Sequence, residues 1–176
     1  MNYKDLLNKL KNYSKIIIAG PQRTGTTYCA YIIAKDLGYI HLDENKIAIS
    51  SVETVKEKLK TKEKLVVQCP ELTYQIHEIS SPKEQPTIVL IMKRNIKDIQ
   101  NSEKRIKWRG FNGIKNRYKR KFKSLYSEEW WDKWKDNQAA ELRYYFYNNH
   151  QYYNMKVEHM YVPYKILEQT SEFISK

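Results

Sequence analysis

Short apolar runs recur along the chain, and each is bounded by glycine, proline or charged residues. The clearest runs cover residues 16–19, 65–67 and 88–92. Apolar runs of this length are typical of strands that are buried on both faces of a sheet. A weaker run at 39–42 is consistent with one more short strand. The pattern therefore predicts a largely buried sheet in the first part of the chain.

Longer amphipathic segments separate these runs and predict helices. In one of them Cys29, Ile33 and Leu37 follow at i, i+4 and i+8, and Gly38 stands where a helix would end. Other helices are predicted at 6–10, 52–60, 71–79 and 96–106. Because strands that alternate with helices form parallel sheets, we expect a three-layer α/β fold. Its central parallel sheet would have about five strands, with helices on both faces.

The character of the chain changes after residue 106. Residues 107–123 contain eight basic side chains and no acidic one, with glycines at 110 and 113. A run of like charge on a backbone loosened by glycine predicts a mobile basic loop or lid.

The C-terminal part predicts further regular structure. Ser127, followed by two glutamates, is typical of a helix start, and an apolar aromatic stripe indicates that this helix extends toward Asn148 with the stripe in the core. A last strand is expected at 155–160 and a last helix at 163–174. We expect residues 1–176 to form a single domain, since a chain of this length has room for one core.

Charge adds a preference for anionic partners. The chain has 32 basic and 20 acidic residues, a formal net charge of +12. Lysine supplies 25 of the basic residues in a sequence that is also rich in Asn, Ile and Tyr, so the seven arginines are the more informative cations. No apolar run approaches the roughly 20 residues of a membrane helix, and the N-terminus lacks the pattern of a secretion signal. We therefore expect a cytoplasmic protein, and its two cysteines to be free thiols.

The most informative segment is 20–27, which lies between the first predicted strand and the helix after it. Its glycines, Gly20 and Gly25, have the spacing of the phosphate-binding P-loop, G-x-x-x-x-G-K-S/T, but Thr26 stands in place of the lysine. A loop in this position directs backbone N–H groups and a helix N-terminus at one point, which stabilises a bound phosphate or sulfate. Arg23 supplies the charge that the missing lysine would provide.

Two segments together resemble those of sulfotransferases. Residues 21–27 resemble the 5′-phosphosulfate loop of that family, P-x-K/R-S/T-G-T-T, and residues 94–102 resemble its 3′-phosphate motif, R-N-P-x-D-x-x-x-S. The resemblance implies a P-loop fold and the donor 3′-phosphoadenosine 5′-phosphosulfate, with Arg94 and Ser102 at its 3′-phosphate. It also places Tyr28 near the adenine, although a core position for this side chain is equally compatible with the pattern. The donor-binding residues implied are Gly20, Arg23, Thr24, Gly25, Thr26, Thr27, Tyr28, Arg94 and Ser102.

A general base should deprotonate the acceptor. Cytosolic sulfotransferases carry a histidine just after the third strand, where this chain has Gln-Cys-Pro-Glu at 68–71, and some branches of the family use a carboxylate. Glu71 and His77 are the candidates for this role, with Arg23 as the cation that stabilises the transferred group. Asp43 and Glu44, after the second predicted strand, are further candidates because ligands bind at the carboxyl ends of such strands.

The expected function is transfer of a sulfuryl group to a hydroxyl or amine acceptor, without a metal ion. Two alternatives remain open. One is a nucleotide phosphotransferase or kinase-like protein, although the predicted strand 88–92 is not followed by the acidic residue that such enzymes use with Mg²⁺. The other is a nucleic-acid-binding module, in which the aromatic residues among the basic side chains of 107–123 would stack on bases. These aromatic residues are Trp108, Phe111, Tyr118 and Phe122.

Overall fold

A single parallel sheet of five strands organises the described part of the chain. The computed structural model describes residues 1–44, 52–68, 76–80, 84–106, 114–122, 126–135, 138–149 and 155–170. The strands are β1 (Lys15–Ala19), β2 (Ile40–Leu42), β3 (Leu65–Gln68), β4 (Thr87–Lys93) and β5 (Glu158–Pro163). Their spatial order is β2-β3-β1-β4-β5, and every neighbouring pair is parallel. The parallel sheet of about five strands predicted from the apolar runs is therefore confirmed.

Helices occupy both faces of this sheet, which confirms the three-layer α/β fold. They are α1 (Tyr3–Leu10), α2 (Thr26–Leu37), α3 (Val52–Leu59), α4 (Ile96–Arg105), α5 (Ile114–Phe122), α6 (Glu128–Asp132) and α7 (Ala139–Asn149). Alternate side chains of β1 separate two cores: Ile16 and Ile18 pack with α1 and α2, and Ile17 packs with α3. This two-sided burial explains why β1 has no polar alternation.

The strand order determines where a crevice forms at the edge of the sheet. The chain leaves β1 toward β3 and β2 and returns to add β4 and β5 on the other side. The order therefore reverses between β1 and β4, and the loops after these two strands diverge to leave a crevice at their carboxyl ends. The predicted strands and helices up to residue 106 agree with the structure within two or three residues. The exception is the helix expected at 71–79, of which 71–75 lie outside the described residues and Ile76–Glu78 form a short 3₁₀ helix.

Part of the predicted basic loop is helical. Residues 114–122 form α5, which packs on α7 through the buried ring of Tyr118, 5.0 Å from the ring centre of Phe146. Lys119 forms an ion pair with Glu128 at the start of α6. The composition of 107–123 alone indicates uncompensated charge, but Glu128 and Asp132 on α6 compensate part of it through ion pairs with Lys119 and Lys115. The remainder of that segment, apart from 114–122, lies outside the described residues.

The single aromatic helix predicted from Ser127 to Asn148 is instead two helices, α6 and α7. Ser127 caps α6 as expected, since its Oγ accepts a hydrogen bond from Trp130 N. The rings of Trp131 and Phe146 stack with their centres 5.7 Å apart. In one continuous helix these residues would lie about 22 Å apart along the axis, so the chain must turn back for this third core cluster to form.

The last elements are displaced along the chain. The predicted strand at 155–160 is observed as Glu158–Pro163, and residues Tyr164–Gln169 form a 3₁₀ helix that Pro163 precedes. Residues 171–174 of the predicted last helix lie outside the described residues. Among the helices that the structure describes, none has the length and apolar character needed to cross a membrane.

Candidate functional site at the carboxyl ends of β1, β4 and β5

The loop between β1 and α2 is a tight turn with three left-handed backbone positions. Gly20, Arg23 and Gly25 have φ of 144°, 69° and 87°. Arg23 is the only residue other than glycine in the described segments with positive φ, a conformation that costs such residues about 1–2 kcal/mol. The buried Thr24 closes the turn, because its Oγ1 donates a hydrogen bond to Pro21 O at 2.6 Å. The strain at Arg23 is thus held in place by a local hydrogen bond.

The first residues of α2 line the crevice and carry backbone N–H groups that the helix itself does not bond. Gly25 is the N-cap, and its carbonyl accepts the first helical hydrogen bond from Cys29 N at 2.9 Å. Gly25 has no side chain that could cap the N–H groups of Thr26, Thr27 and Tyr28, which lie between it and Cys29. Together with the partial positive charge of the helix N-terminus, these groups can bind an anion.

Tyr164, directly after β5, forms one wall of this turn. A Cβ atom on Gly25 would lie 2.7 Å from Cε2 of Tyr164, so the ring packs against the bare backbone of the loop. The guanidinium carbon of Arg94 lies 4.1 Å from the centre of the same ring, in a cation–π contact. Tyr164 thereby connects the loop after β1 with the residue after β4.

Arg23 and Arg94 hold the two sequence motifs together. The Arg23 guanidinium donates from Nε and Nη2 to Ser102 Oγ, at 3.1 and 2.9 Å, and Arg94 Nη1 donates to the carbonyl oxygen of Arg23 at 3.0 Å. Arg94 Nε is buried and has no hydrogen-bond partner within the described residues. The residues expected at opposite ends of a nucleotide therefore share one polar cluster.

Two adjoining cavities open at this cluster. One, of about 210 Å³, extends along the start of α2, and the other, of about 160 Å³, extends along α4. The first is lined by Arg23, Gly25, Thr26, Thr27, Tyr28, Arg94, Ser102, Arg105 and Tyr164. The second is lined by Arg94, Asp98, Asn101, Ser102 and Arg105.

A buried ion pair fixes α4 beside the site. Arg143, on α7, forms an ion pair with Glu103, and both side chains are almost completely buried. Burial raises the pKa of Glu103 above its usual range, and the neighbouring Arg143 opposes that rise. On the same pair of helices Gln100 Nε2 donates to Glu141 Oε1 at 2.5 Å. These two contacts hold α4 against α7 on either side of Ser102.

The structure brings together most of the residues that the sequence predicts to bind the nucleotide donor. Arg23, Gly25, Thr26, Thr27, Tyr28, Arg94 and Ser102 line the cavities, whereas Gly20 and the buried Thr24 shape the turn behind them. Tyr28 packs against the main core, and its hydroxyl forms a hydrogen bond of 2.7 Å with Thr170 Oγ1. It also lines the larger cavity, and its place near an adenine stays a prediction.

The candidate bases are not brought to this cluster by the described structure. Glu71 and the side chain of His77 lie outside the described residues, and the backbone of His77 belongs to the short 3₁₀ helix Ile76–Glu78. Asp43 and Glu44 follow β2, which is separated from β1 by β3. They share the carboxyl edge of the sheet with the site but line neither of its two cavities.

Sequence reasoning missed Arg105, Asn101 and Tyr164 as site residues. Arg105 lies just before the basic segment 107–123, yet its spacing of three from Ser102 on a helix indicates a shared face. Tyr164 has no comparable signal, because only the pairing of β5 with β4 brings it beside Arg94. Within the described ranges, no group of three or more His, Cys, Asp or Glu side chains could hold a metal ion.

No protein-family model matches the chain, and a search of curated proteins gives no significant match. The geometry of the site and the two sequence motifs therefore carry the functional argument.

Proposed function

We propose that this protein is a P-loop enzyme of the sulfotransferase type, which transfers a sulfuryl group from 3′-phosphoadenosine 5′-phosphosulfate to a hydroxyl or amine acceptor. One observation carries the proposal. The Arg23 guanidinium contacts Ser102 Oγ, so the segment that resembles a 5′-phosphosulfate loop meets the segment that resembles a 3′-phosphate motif. Two independent sequence resemblances at one site are stronger support than either alone.

The residues present fit a nucleotide with two anionic ends. The N–H groups at the start of α2 and the Arg23 guanidinium suit a 5′-phosphosulfate, because both line the same cavity beside a helix N-terminus. Arg23 keeps further N–H donors besides the two that it directs at Ser102 Oγ. The buried, unsatisfied Nε of Arg94 and the Ser102 hydroxyl suit the 3′-phosphate, since arginine binds phosphate oxygens through its planar fork. Tyr28 would contact the adenine ring of the nucleotide.

The catalytic work proposed for these residues is positioning and charge stabilisation. The bound donor would supply an activated sulfuryl group whose S–O bond to the 5′-phosphate breaks as the acceptor atom bonds to sulfur. Arg23 and the amides of Thr26 and Thr27 would stabilise the negative charge that develops on the bridging oxygen and the transferred group. The acceptor proton would go to a base, for which Glu71 and His77 remain the candidates.

Neither alternative function has support of similar strength. A kinase-like reaction would use a lysine where this loop has the buried Thr26. A nucleic-acid surface on 107–123 would need exposed aromatic rings, and Tyr118, the one of its four aromatic side chains that the structure describes, is buried. Lys119 is paired with Glu128. Both alternatives make different predictions in the same experiment.

The test is thermal stabilisation of the purified protein by adenosine 3′,5′-bisphosphate, by ATP with Mg²⁺ and by a single-stranded oligonucleotide. At a ligand concentration 100 times Kd, we expect the bisphosphate to raise Tm by about 5–10 °C. Arg94→Ala should abolish that rise, whereas Arg120→Ala, which removes an exposed arginine of α5, should leave it intact. A rise only with ATP and Mg²⁺, or only with the oligonucleotide, would overturn the proposal in favour of the corresponding alternative.

Turnover is tested with the sulfated donor itself. The enzyme should release adenosine 3′,5′-bisphosphate faster in the presence of a hydroxyl or amine acceptor, and Arg23→Ala should lower kcat by about 10²-fold. Glu71→Gln and His77→Ala assign the base, because only loss of the base should remove the acidic limb of the pH–rate profile.

A further inference from the structure

One face of α4 continues the polar site beyond the two motif residues. Asp98, Asn101, Ser102 and Arg105 are spaced at i, i+3, i+4 and i+7, so they lie along one side of the helix. All four line the cavity of about 160 Å³, together with Arg94. The face that carries Ser102 is therefore a wall of the site along its whole length.

Arg105 belongs to both cavities. Three residues, Arg94, Ser102 and Arg105, line the larger cavity at the start of α2 as well as the smaller one along α4. They form the boundary between the two spaces. A group bound at this boundary would be within reach of two guanidinium groups and one hydroxyl.

Positive side chains outnumber negative ones in the lining of the two cavities. Arg23 and Arg94 already donate hydrogen bonds inside the site, to Ser102 Oγ and to the Arg23 carbonyl. Arg105 is exposed and forms no hydrogen bond or ion pair with any residue that the structure describes. Asp98 is the one acidic side chain lining the two cavities, and Glu103, on another face of α4, is paired with Arg143. Three arginines against one aspartate leave an excess of positive charge that favours a ligand with more than one anionic group.

We propose that Arg105 binds the 3′-phosphate together with Ser102 and Arg94, and that it makes the site selective for a nucleoside 3′,5′-bisphosphate over the 5′-monophosphate. This inference rests on the proposed function and assigns to it a third phosphate-binding arginine. The Arg105 guanidinium would supply N–H donors to the phosphate oxygens that face α4, opposite those bound by Arg94. The carboxylate of Asp98 lies about two helical turns before Arg105 and would repel a second phosphate in the smaller cavity.

A purely structural role for Arg105 makes a different prediction. Lys104 and Arg105 both lie in the last turn of α4, where cations stabilise the helix dipole. Lys104 is exposed as well but lines neither cavity. The variant Lys104→Ala therefore removes the same charge from the same turn and is a matched control for Arg105→Ala.

The experiment measures the affinity of the full chain for adenosine 3′,5′-bisphosphate and for adenosine 5′-monophosphate by calorimetry. The two probes differ only in the phosphate that Arg105 is proposed to bind. We expect Arg105→Ala to weaken bisphosphate binding about tenfold, as for loss of a charge-assisted hydrogen bond, and monophosphate binding less than twofold. Arg105→Lys should retain part of the selectivity, and Lys104→Ala should retain all of it.

Three outcomes contradict the inference. Equal bisphosphate affinity in Arg105→Ala and Lys104→Ala would exclude a contact with the phosphate. An equal loss for both nucleotides would indicate a general charge effect rather than selectivity. Failure of the unmodified protein to bind the bisphosphate would overturn the proposed function, and the role of Arg105 with it, whereas the first two outcomes leave the proposed function standing. If Arg105→Ala proves unstable, Arg105→Gln keeps the first three carbons of the side chain and a polar end while it removes the charge.

Discussion

The guanidinium of Arg23 donates two hydrogen bonds to Ser102 Oγ, across 79 positions of sequence. Arg23 follows β1 and Ser102 lies in the second turn of α4, after β4. Because β1 and β4 are neighbours in the sheet, residues from both can meet at the carboxyl edge. The pair therefore couples the two segments on which the proposed function depends.

Arg23 and Ser102 should be energetically coupled in ligand binding. Arg23→Ala and Ser102→Ala should each weaken binding of adenosine 3′,5′-bisphosphate about 5- to 20-fold, since each removes a hydrogen bond to a charged group. The double variant should lose less than the product of the two effects, by about 0.5–1.5 kcal/mol, because the residues contact each other. Calorimetric Kd values for the four proteins measure this coupling. Strict additivity would mean that the Arg23–Ser102 contact has no role in binding.

Gly25→Ala should damage the protein more than Gly38→Ala. Both glycines have positive φ, of 87° and 68°, so an alanine costs about 1–2 kcal/mol of backbone strain at either position. At Gly25 the new Cβ would also lie 2.7 Å from the Tyr164 ring, whereas at Gly38 it would meet no atom within 4 Å. We expect Gly25→Ala to abolish bisphosphate binding and Gly38→Ala to leave it unchanged.

Denaturant unfolding separates the two contributions to the Gly25 effect. The free energy of unfolding should fall by about 1–2 kcal/mol in Gly38→Ala and by more than that in Gly25→Ala, where the clash with Tyr164 adds to the backbone strain. Similar losses in both variants, with binding retained, would show that the approach of Tyr164 to the loop is not required.

Removal of Arg143 should make stability strongly dependent on pH. Arg143→Met leaves the Glu103 carboxyl buried without its cation, so its pKa in the folded state, already raised by burial, should rise further. A raised folded-state pKa favours the protonated acid. Stability should therefore be greatest below the unfolded-state pKa of about 4.3 and should fall as pH rises from about 4 through the folded-state pKa.

The variant should be destabilised by about 3–5 kcal/mol at neutral pH, and less under acidic conditions. Urea unfolding at several pH values measures both effects. Arg143→Met combined with Glu103→Gln is the control, because it removes the titrating group and should remove the steep pH dependence. If the unfolding free energy of Arg143→Met did not change with pH, another group would have to stabilise the buried charge of Glu103.

Cys29 should be inert toward thiol reagents in the folded protein. Its side chain is completely buried in the main core, and burial raises the pKa of the thiol to about 12. Cys69 lies outside the described residues, so the measurement is made in a Cys69→Ser background. At pH 8 we expect 5,5′-dithiobis(2-nitrobenzoate) to react with this variant only after unfolding in guanidinium. Rapid reaction under native conditions would contradict the buried position of Cys29.

Local sequence patterns determined most of the architecture. The apolar runs at β1, β3 and β4 could be recognised because a strand covered on both faces contains few polar residues. Gly38 ended α2 where expected, since a left-handed residue terminates a helix wherever it occurs. The loop at 20–27 was also readable, because its glycines and Arg23 are adjacent in sequence.

Features that depend on distant partners could not be read in this way. The charge of 107–123 predicted a loop or lid, but residues 114–122 form a helix, in which Tyr118 packs on Phe146 and Lys119 pairs with Glu128. The aromatic stripe predicted one helix, but the stacking of Trp131 on Phe146 requires two. In both cases the missing information was the side chain on the other element.

The sequence by itself determined the order of strands and helices up to residue 106 and the two segments proposed to bind phosphate. Only the tertiary structure decided that Arg23 contacts Ser102, that Tyr164 packs on Gly25, and that Arg105 lines both cavities. The physical reason is the parallel sheet. It brings the carboxyl ends of β1, β4 and β5 together, and residues that no local pattern connects then share one crevice.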